Sequence, residues 1–155
     1  MAREPVSADD AARLAEAALA SGTAGDPFAR AHGRFLAPIP IRAPGGETWG
    51  WMVPLAHDDR LLGFVQVDAA GRVHRYASFA RRPGDLTSCP GLATWIDPDV
   101  IRRRAAGVTR AGETLGPPVL TYDRSPDRIH WAVQATSGGA TTRVIAVAGD
   151  AVWEP

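Results

Sequence analysis

Five side chains that could form a ligand-binding or acid/base site alternate along three strands predicted in the first half of the chain. His74 and Tyr76 are two residues apart, so in a strand they point to the same face. Alternation on the neighbouring strands predicts that Met52, Phe64 and Gln66 share that face. Imidazole and phenol groups can act as acids or bases, and exposed aromatic and thioether groups are typical of binding surfaces. The pattern predicts a candidate site on one sheet face.

The second half of the chain carries a related polar row. Alternation there places His130, Ala132 and Gln134 on one face, and Trp153 adds a further aromatic candidate near the C-terminus. A half-buried antiparallel sheet has a polar outer face even where it binds nothing. The two rows are therefore compatible with a binding face and with an ordinary solvated surface.

Motifs for the common catalytic mechanisms are absent from the sequence. It has no G-x-S-x-G, G-x-G-x-x-G, P-loop or H-E-x-x-H pattern, and its basic residues are all arginine, which excludes a Schiff-base lysine. Cys89 is the only cysteine, so an intrachain disulfide is impossible. His32, His57, His74 and His130 are too scattered for a local metal motif. No cofactor or metal is predicted.

Charge and hydropathy narrow the range of partners. Seventeen basic and seventeen acidic residues cancel in a chain of 155 residues, which favours neither nucleic acid nor anionic membrane. No apolar run approaches the ~18 residues of a membrane span, and the N-terminus lacks a secretory pattern. We therefore expect a cytoplasmic protein whose partner is a protein, a peptide, a small-molecule ligand or a second copy of the chain.

Two helices are predicted from their end signals. The first begins after Ser7, a capping residue, and ends near Gly22. The second begins with Asp97 as the cap and Pro98 in the first turn, and Gly107 ends it. Each helix is followed by a loop and then by a series of short apolar segments.

Those segments align with each other at a constant offset of 80 residues. Residues 38–67 superimpose on residues 118–147 without a gap, and turn residues coincide. The matched residues are Pro38 with Pro118, Trp51 with Trp131, Val53 with Val133, and Val67 with Val147. The alignment indicates an internal duplication.

The predicted fold is α+β, with two repeats of one helix followed by a four-stranded antiparallel sheet. The short turns favour antiparallel pairing. We expect residues 1–155 to form a single compact unit built of two repeats, 7–79 and 97–155, joined by a connecting loop at 80–96. In each repeat the tryptophan-bearing strand face should pack beneath the helix, with residues Trp49, Trp51, Val53 and Leu55, and equivalently Ile129, Trp131, Val133 and Ala135.

Three stretches of the first repeat resemble the PepSY and cystatin-like group of small domains. They are "ADDAARLAEAAL", "WGWMVPL" and "GFVQVDAAGRV", the last being similar to the V-D-x-x-T-G-x-V hairpin of PepSY domains, with Ala70 in place of the threonine. The resemblance covers residues 7–79 and, more faintly, 97–155. It implies an inhibitory, chaperone-like or ligand-sensing module, of a group that is commonly extracytoplasmic.

Two functions are compatible with these patterns. The first is a non-enzymatic binding or accessory module that captures its ligand on the open sheet face. The alternative is a small cofactor-free enzyme of the cyclase or isomerase type, which uses a His or Tyr acid/base in a pocket on the concave sheet. Convergence of His74 with His130 or an aspartate in an enclosed cavity would favour the enzyme. An open sheet rimmed by aromatics would favour the binding module.

Overall fold

The computed structural model of the protein describes residues 3–155 and confirms the α+β class. Over that range the chain forms four helices and ten strands, and the strands assemble into two antiparallel sheets. Backbone contacts divide the chain into two compact units. Unit 1 is the described part of Met1–Ile41 together with Glu47–Leu92, and unit 2 is Arg42–Gly46 together with Ala93–Pro155.

The first sheet, sheet 1, has β3 and β4 at its centre. Its strand order is β1-β3-β4-β5, and β2 also pairs with β3. The elements up to the end of this sheet are α1 (Ala8–Ala20), α2 (Pro27–His32), β1 (Arg34–Phe35), β2 (Ile39–Arg42), β3 (Thr48–His57), β4 (Arg60–Asp68) and β5 (Val73–Ser78).

The second sheet, sheet 2, repeats this plan. Its strand order is β10-β9-β8-β6, and β7 also pairs with β8. The remaining elements are α3 (Leu92–Ile96), α4 (Pro98–Ala106), β6 (Thr114–Leu115), β7 (Val119–Tyr122), β8 (Ile129–Ser137), β9 (Ala140–Ala148) and β10 (Ala151–Trp153).

The structure differs from the predicted plan in its shortest elements. Each sheet has five strands and not four, because two-residue strands, β1 and β6, precede the predicted ones. Segments this short carry no measurable periodicity. The helix α2, capped by Asp26 with Pro27 in its first turn, was not predicted. The helix α3 lies at the end of residues 80–96, which were expected to be a connecting loop.

The predicted helix starts are confirmed. The Ser7 hydroxyl accepts a hydrogen bond from the Asp10 backbone, and the Asp10 carboxylate accepts one from the Ser7 backbone, which completes a capping box. In α4 the Asp97 carboxylate accepts from the Asp99 backbone, and Pro98 occupies the first turn. Both helices therefore begin at capping residues that the sequence predicts.

In unit 1 the tryptophan-bearing face of the sheet packs against α1, as predicted. Small residues of α1, Ala11 and Ala15, form one buried cluster with Val53, Val65 and Val67. Trp51 packs against this cluster, and its indole Nε1 donates a hydrogen bond to the Val6 carbonyl at 2.8 Å. The alanines allow the helix backbone to approach the sheet closely.

Unit 2 uses the same face in the same way. The Trp131 Nε1 donates to the carbonyl of Trp95, just before α4, at 2.7 Å. Val133 and Ile145 of the sheet and Ile101 of α4 are fully buried. In both units the indole thus fixes the chain that leads into the helix above the sheet.

The offset of 80 residues is present in the strand register itself. Trp51 pairs with Val67, and Trp131 pairs with Val147. The register shift that follows Leu55 in β3 recurs after Ala135 in β8. The two sheets therefore share pairing and irregularities at equivalent positions, and this correspondence allows residues of the two units to be compared one by one.

Candidate functional site

The predicted binding face of sheet 1 is closed to solvent. Met52 and Gln66 are fully buried, and Phe64 is 4% exposed. The prediction that these three side chains form an open surface is wrong. Alternation separates the two faces of a strand correctly, but it contains no information about whether the second face is covered. The central strands β3 and β4 are buried on both faces.

Tyr76 lies on the opposite face from the one predicted. A register shift after Gln66 pairs Val65 with Tyr76 and Gln66 with Arg75. Tyr76 therefore packs on the helix side, and Arg75 takes the place expected for it. The Arg75 Nε donates to the Gln66 side-chain oxygen, and its guanidinium lies 5.4 Å from the centre of the Phe64 ring. The β-bulge therefore reverses the faces of the sheet on which Arg75 and Tyr76 lie.

Tyr76 is unsuited to proton transfer near neutral pH. Its hydroxyl is buried and has no hydrogen-bond partner among residues 3–155. Burial, and secondarily the charge of Asp26, raise the pKa of Tyr76 to about 12, although the Ser78 side chain, which is not placed to form a hydrogen bond, acts in the opposite direction. The hydroxyl lies over Gly63, where an added Cβ would be only 2.8 Å away. Tyr76 therefore fills space above a glycine, as aromatic residues do in sheets.

His74 is exposed and belongs to the same strand face as Tyr76. Its ring meets the Trp49 ring edge to face, with 5.2 Å between the centroids. Of the five residues predicted in the first half, His74 alone is open to solvent, and the other four do not form an accessible surface with it. The candidate site of unit 1 is therefore not assembled as predicted.

The outer face of sheet 2 is partly open, and it contains the two remaining predicted residues. His130 and Gln134 lie on this face of β8, and Gln134 is exposed. Beside His130 the surface forms a depression of 510 Å³, which we call the outer cleft. This volume is in the range of ligand sites in proteins. The side chains that line it include Tyr122, Asp123, Arg124, His130, Ala132, Val144 and Glu154.

His130 is the most buried polar group of the outer cleft. It is 4% exposed, and its ring meets the Trp153 ring with 5.6 Å between centroids. Burial lowers the pKa of His130, although a hydrogen bond with the Arg128 backbone and the charge of Asp123 act in the opposite direction. Burial therefore favours the neutral imidazole, which has one donor and one acceptor nitrogen.

An apolar row crosses the outer face of sheet 2 beside the cleft. Val119 pairs with Ala132, Ala132 with Ala146, and Ala146 with Trp153, so the four side chains point the same way. The ends of the row are open, with Val119 42% and Trp153 40% exposed. Exposed apolar side chains next to hydrogen-bonding groups are typical of recognition surfaces.

A charged cluster at the border of this cleft was missed in the sequence. The Glu113 carboxylate accepts hydrogen bonds from Arg143 at 2.9 Å, from the Thr142 hydroxyl at 2.6 Å and from the Arg110 backbone at 2.7 Å. Hydrogen bonds from Arg143, and next from Thr142, lower the pKa of Glu113 to about 2. Arg143 also pairs with Glu154. This cluster ties the chain after β10 to the sheet.

The sequence did contain a signal for this cluster. Arg143 shares its strand face with Ile145 and Val147, which are fully buried. A charged residue on an apolar face requires a buried partner of opposite charge. Alternation alone would therefore have predicted a paired Arg143, although it would not have identified Glu113 as the partner.

Two further histidines and the cysteine lie in unit 1. His32 and His57 lie together, with 5.8 Å between ring centroids, but residues 3–155 contain no cluster of three or more metal-ligating side chains. Cys89 is buried, and burial raises the pKa of its thiol, which disfavours the reactive thiolate. No helix in the described part of the chain is long and apolar enough to cross a membrane.

The chain matches no protein-family model, no curated protein and no solved structure. Arguments about its function therefore depend on the geometry of the outer cleft and of the surfaces around it.

Proposed function

We propose that the protein is a non-enzymatic binding module that captures a protein or peptide on the outer face of sheet 2. The observation that carries the proposal is the row from Val119 to Trp153, whose two ends are exposed beside the outer cleft although Ala146 between them is buried. An extended peptide laid along this face would bury both apolar ends of the row. Removing such surface from water is favourable by about 25 cal/mol for each Å², and the ordering of the peptide offsets part of this gain.

The polar groups of the cleft provide orientation for such a ligand. Neutral His130 offers one donor and one acceptor, and Asp123 and Arg124 offer charges of both signs. Arg124 has a positive φ of 61°, which is unusual for a residue with a side chain. Backbone strain of this kind is often found at functional positions, and it supports a role of this turn in binding.

A small cofactor-free enzyme of the cyclase or isomerase type is the second candidate. His130 supports it, because a neutral, nearly buried imidazole in a cleft of ligand size can accept a proton. The other predicted acid/base groups do not support it. The Tyr76 hydroxyl has a raised pKa, and His74 lies against Trp49 in unit 1. The binding module is therefore preferred.

We also propose that the two units derive from the duplication of a PepSY-like or cystatin-like ancestor. The shared register of Trp51 and Trp131, together with the register shifts after Leu55 and Ala135, supports a common origin. The additional strands β1 and β6 also occupy equivalent positions. Under this proposal the copies diverged in function, and unit 2 kept the open face in a cytoplasmic protein.

Selection of peptides tests the binding proposal. A random peptide library is selected against the full chain, and the Kd of the enriched peptide is measured by calorimetry. We expect Trp153→Ala and Val119→Asp each to weaken binding about 30-fold, the effect of removing an interface residue worth about 2 kcal/mol. Val108→Asp is the matched control, because Val108 is 44% exposed in the same unit and lies after α4, outside the strands of sheet 2.

The control and the test variants give a clear decision. Unchanged affinity in the Val108→Asp variant, together with the losses above, supports the outer face as the binding surface. Equal losses in all three variants, or no loss with Trp153→Ala and Val119→Asp, contradict it. Melting temperatures of the variants are compared so that a loss of folding is recognised.

A further inference from the structure

Unit 1 contains a cleft that the proposed function does not use. It lies between the last turns of α1 and the start of β1 and has a volume of 430 Å³. We call it the arginine cleft, lined by Glu16, Leu19, Arg30, Gly33, Arg34 and Phe35. Leu19 and Phe35 are half-buried and give it an apolar wall, whereas Arg30 and Arg34 are exposed. The cleft thus combines an apolar surface with two guanidinium groups.

The two arginines of this cleft have no acidic partner. Within residues 3–155 neither Arg30 nor Arg34 forms an ion pair, and the nearby Glu16 lies beyond ion-pair distance of both. Ion pairs are common elsewhere in the same chain, at Arg13, Arg72, Arg104, Arg110 and Arg143. With two guanidiniums and one carboxylate the cleft has an excess of positive charge.

Unit 2 shows what fills the equivalent place when the chain supplies its own carboxylate. The residue before β6 is Glu113, whose carboxylate is bound by Arg143, and Arg110, three residues earlier, pairs with Glu154 at 3.4 Å. The residue before β1 is Gly33, and Arg30 stands three residues before it. Unit 1 therefore keeps the equivalent of Arg110 but lacks both carboxylates, and Gly63 stands where unit 2 has Arg143.

We propose that the arginine cleft binds an apolar molecule with a terminal carboxylate. The carboxylate would be held by Arg30 and Arg34, since guanidinium groups bind carboxylates with two parallel hydrogen bonds. The apolar part would lie against Leu19 and Phe35. Glu16 repels a carboxylate bound near it, which directs the carboxylate toward the arginines and away from α1. This site is separate from the outer cleft and does not depend on the proposed function.

Titration of the full chain with octanoate tests the inference. Binding is followed by calorimetry and by backbone amide NMR shifts, with 1-octanol as the ligand that lacks the charge. We expect saturable octanoate binding, shifts at Leu19, Gly33 and Phe35, and binding of 1-octanol about tenfold weaker, because the charge-assisted hydrogen bonds are lost. A peptide ending in a leucine carboxylate, compared with its amidated form, shows whether a chain terminus is also accepted.

The double variant Arg30→Gln/Arg34→Gln should weaken octanoate binding by about tenfold or more. Arg82→Gln is the matched control, since Arg82 is an exposed arginine of unit 1 outside this cleft, and it should bind octanoate as the wild type does. Equal binding of octanoate and 1-octanol, unchanged binding by the double variant, or shifts confined to other surfaces would each overturn the proposal. Peptide binding at the outer cleft should be the same in all these variants, so the two proposals fail separately.

Discussion

Side chains of Leu55 and Tyr76 pack against two glycines in unit 1, Gly33 and Gly63, whereas the equivalent positions of unit 2 carry an ion pair. In unit 1, Gly33 and Gly63 leave room for neighbouring side chains, and an added Cβ at Gly33 would lie 2.9 Å from a methyl group of Leu55. In unit 2 the residues 80 positions later are Glu113 and Arg143, which form an ion pair that is nearly closed to solvent. The strand register around both places is the same.

The difference shows that the same strand register can be combined either with glycines packed by neighbouring side chains or with an ion pair. Apolar packing stabilises without a directional partner, but it leaves the Tyr76 hydroxyl buried and without a hydrogen bond. The Glu113–Arg143 pair satisfies each charged group, yet it makes each partner dependent on the other. Unit 2 is therefore expected to be sensitive to pH and to the loss of one charge, whereas unit 1 is expected to be sensitive to changes of volume.

The largest expected effect concerns the feature that the units share. Trp51→Ala and Trp131→Ala should each lower the free energy of unfolding by about 3–5 kcal/mol, because each removes a large side chain packed beneath a helix, half-buried at Trp51 and buried at Trp131. Each also removes an indole hydrogen bond to the chain before a helix. Chemical denaturation followed by circular dichroism measures this change. A large loss in one variant and none in the other would end the structural equivalence of the two units.

A smaller effect is expected from the ion pair of unit 2. The pKa of Glu113 is lowered to about 2 from 4.5, so its contribution to stability is present above pH 4.5 and is lost as the pH falls toward 2. Glu113→Gln should remove this part of the acid destabilisation. Melting temperatures measured from pH 7 to pH 2 should therefore converge for the two proteins at low pH. A constant difference at every pH would show that the charge of Glu113 contributes nothing.

The smallest effect is expected at Tyr76 in unit 1. Tyr76→Phe removes a buried hydroxyl without a partner, so the free energy of unfolding should stay the same or rise by up to about 1 kcal/mol. Denaturation curves of wild type and variant at pH 7 provide the measurement. A clear loss of stability would mean that the hydroxyl does form a hydrogen bond in solution, and that unit 1 is not purely apolar at this place.

Much of the framework was predictable from local chemistry. Ser7 and Asp97 cap their helices because their side chains bond to backbone groups three or two residues away. Trp51 and Trp131 share the helix side because strand residues alternate and the pattern recurs every 80 residues. Both signals depend on neighbours in the sequence, and they were read correctly without a structure.

The binding face was only partly predictable. Gln134 is exposed as expected, whereas His130, Met52, Phe64 and Gln66 are buried. Alternation also failed at Tyr76, because one extra residue in β5 reverses which side chains face the helix. A short stretch of sequence indicates neither the position of a β-bulge nor whether the second face of a strand is buried.

The sequence by itself determined where the helices begin, how the hairpins pair and which strand face carries the tryptophans, since these follow from contacts between residues close in the chain. Only the tertiary structure decided which of the two outer faces stays open and which charges find partners. Those outcomes depend on side chains far apart in the sequence, such as Glu113 and Arg143, which meet only after the sheet has assembled.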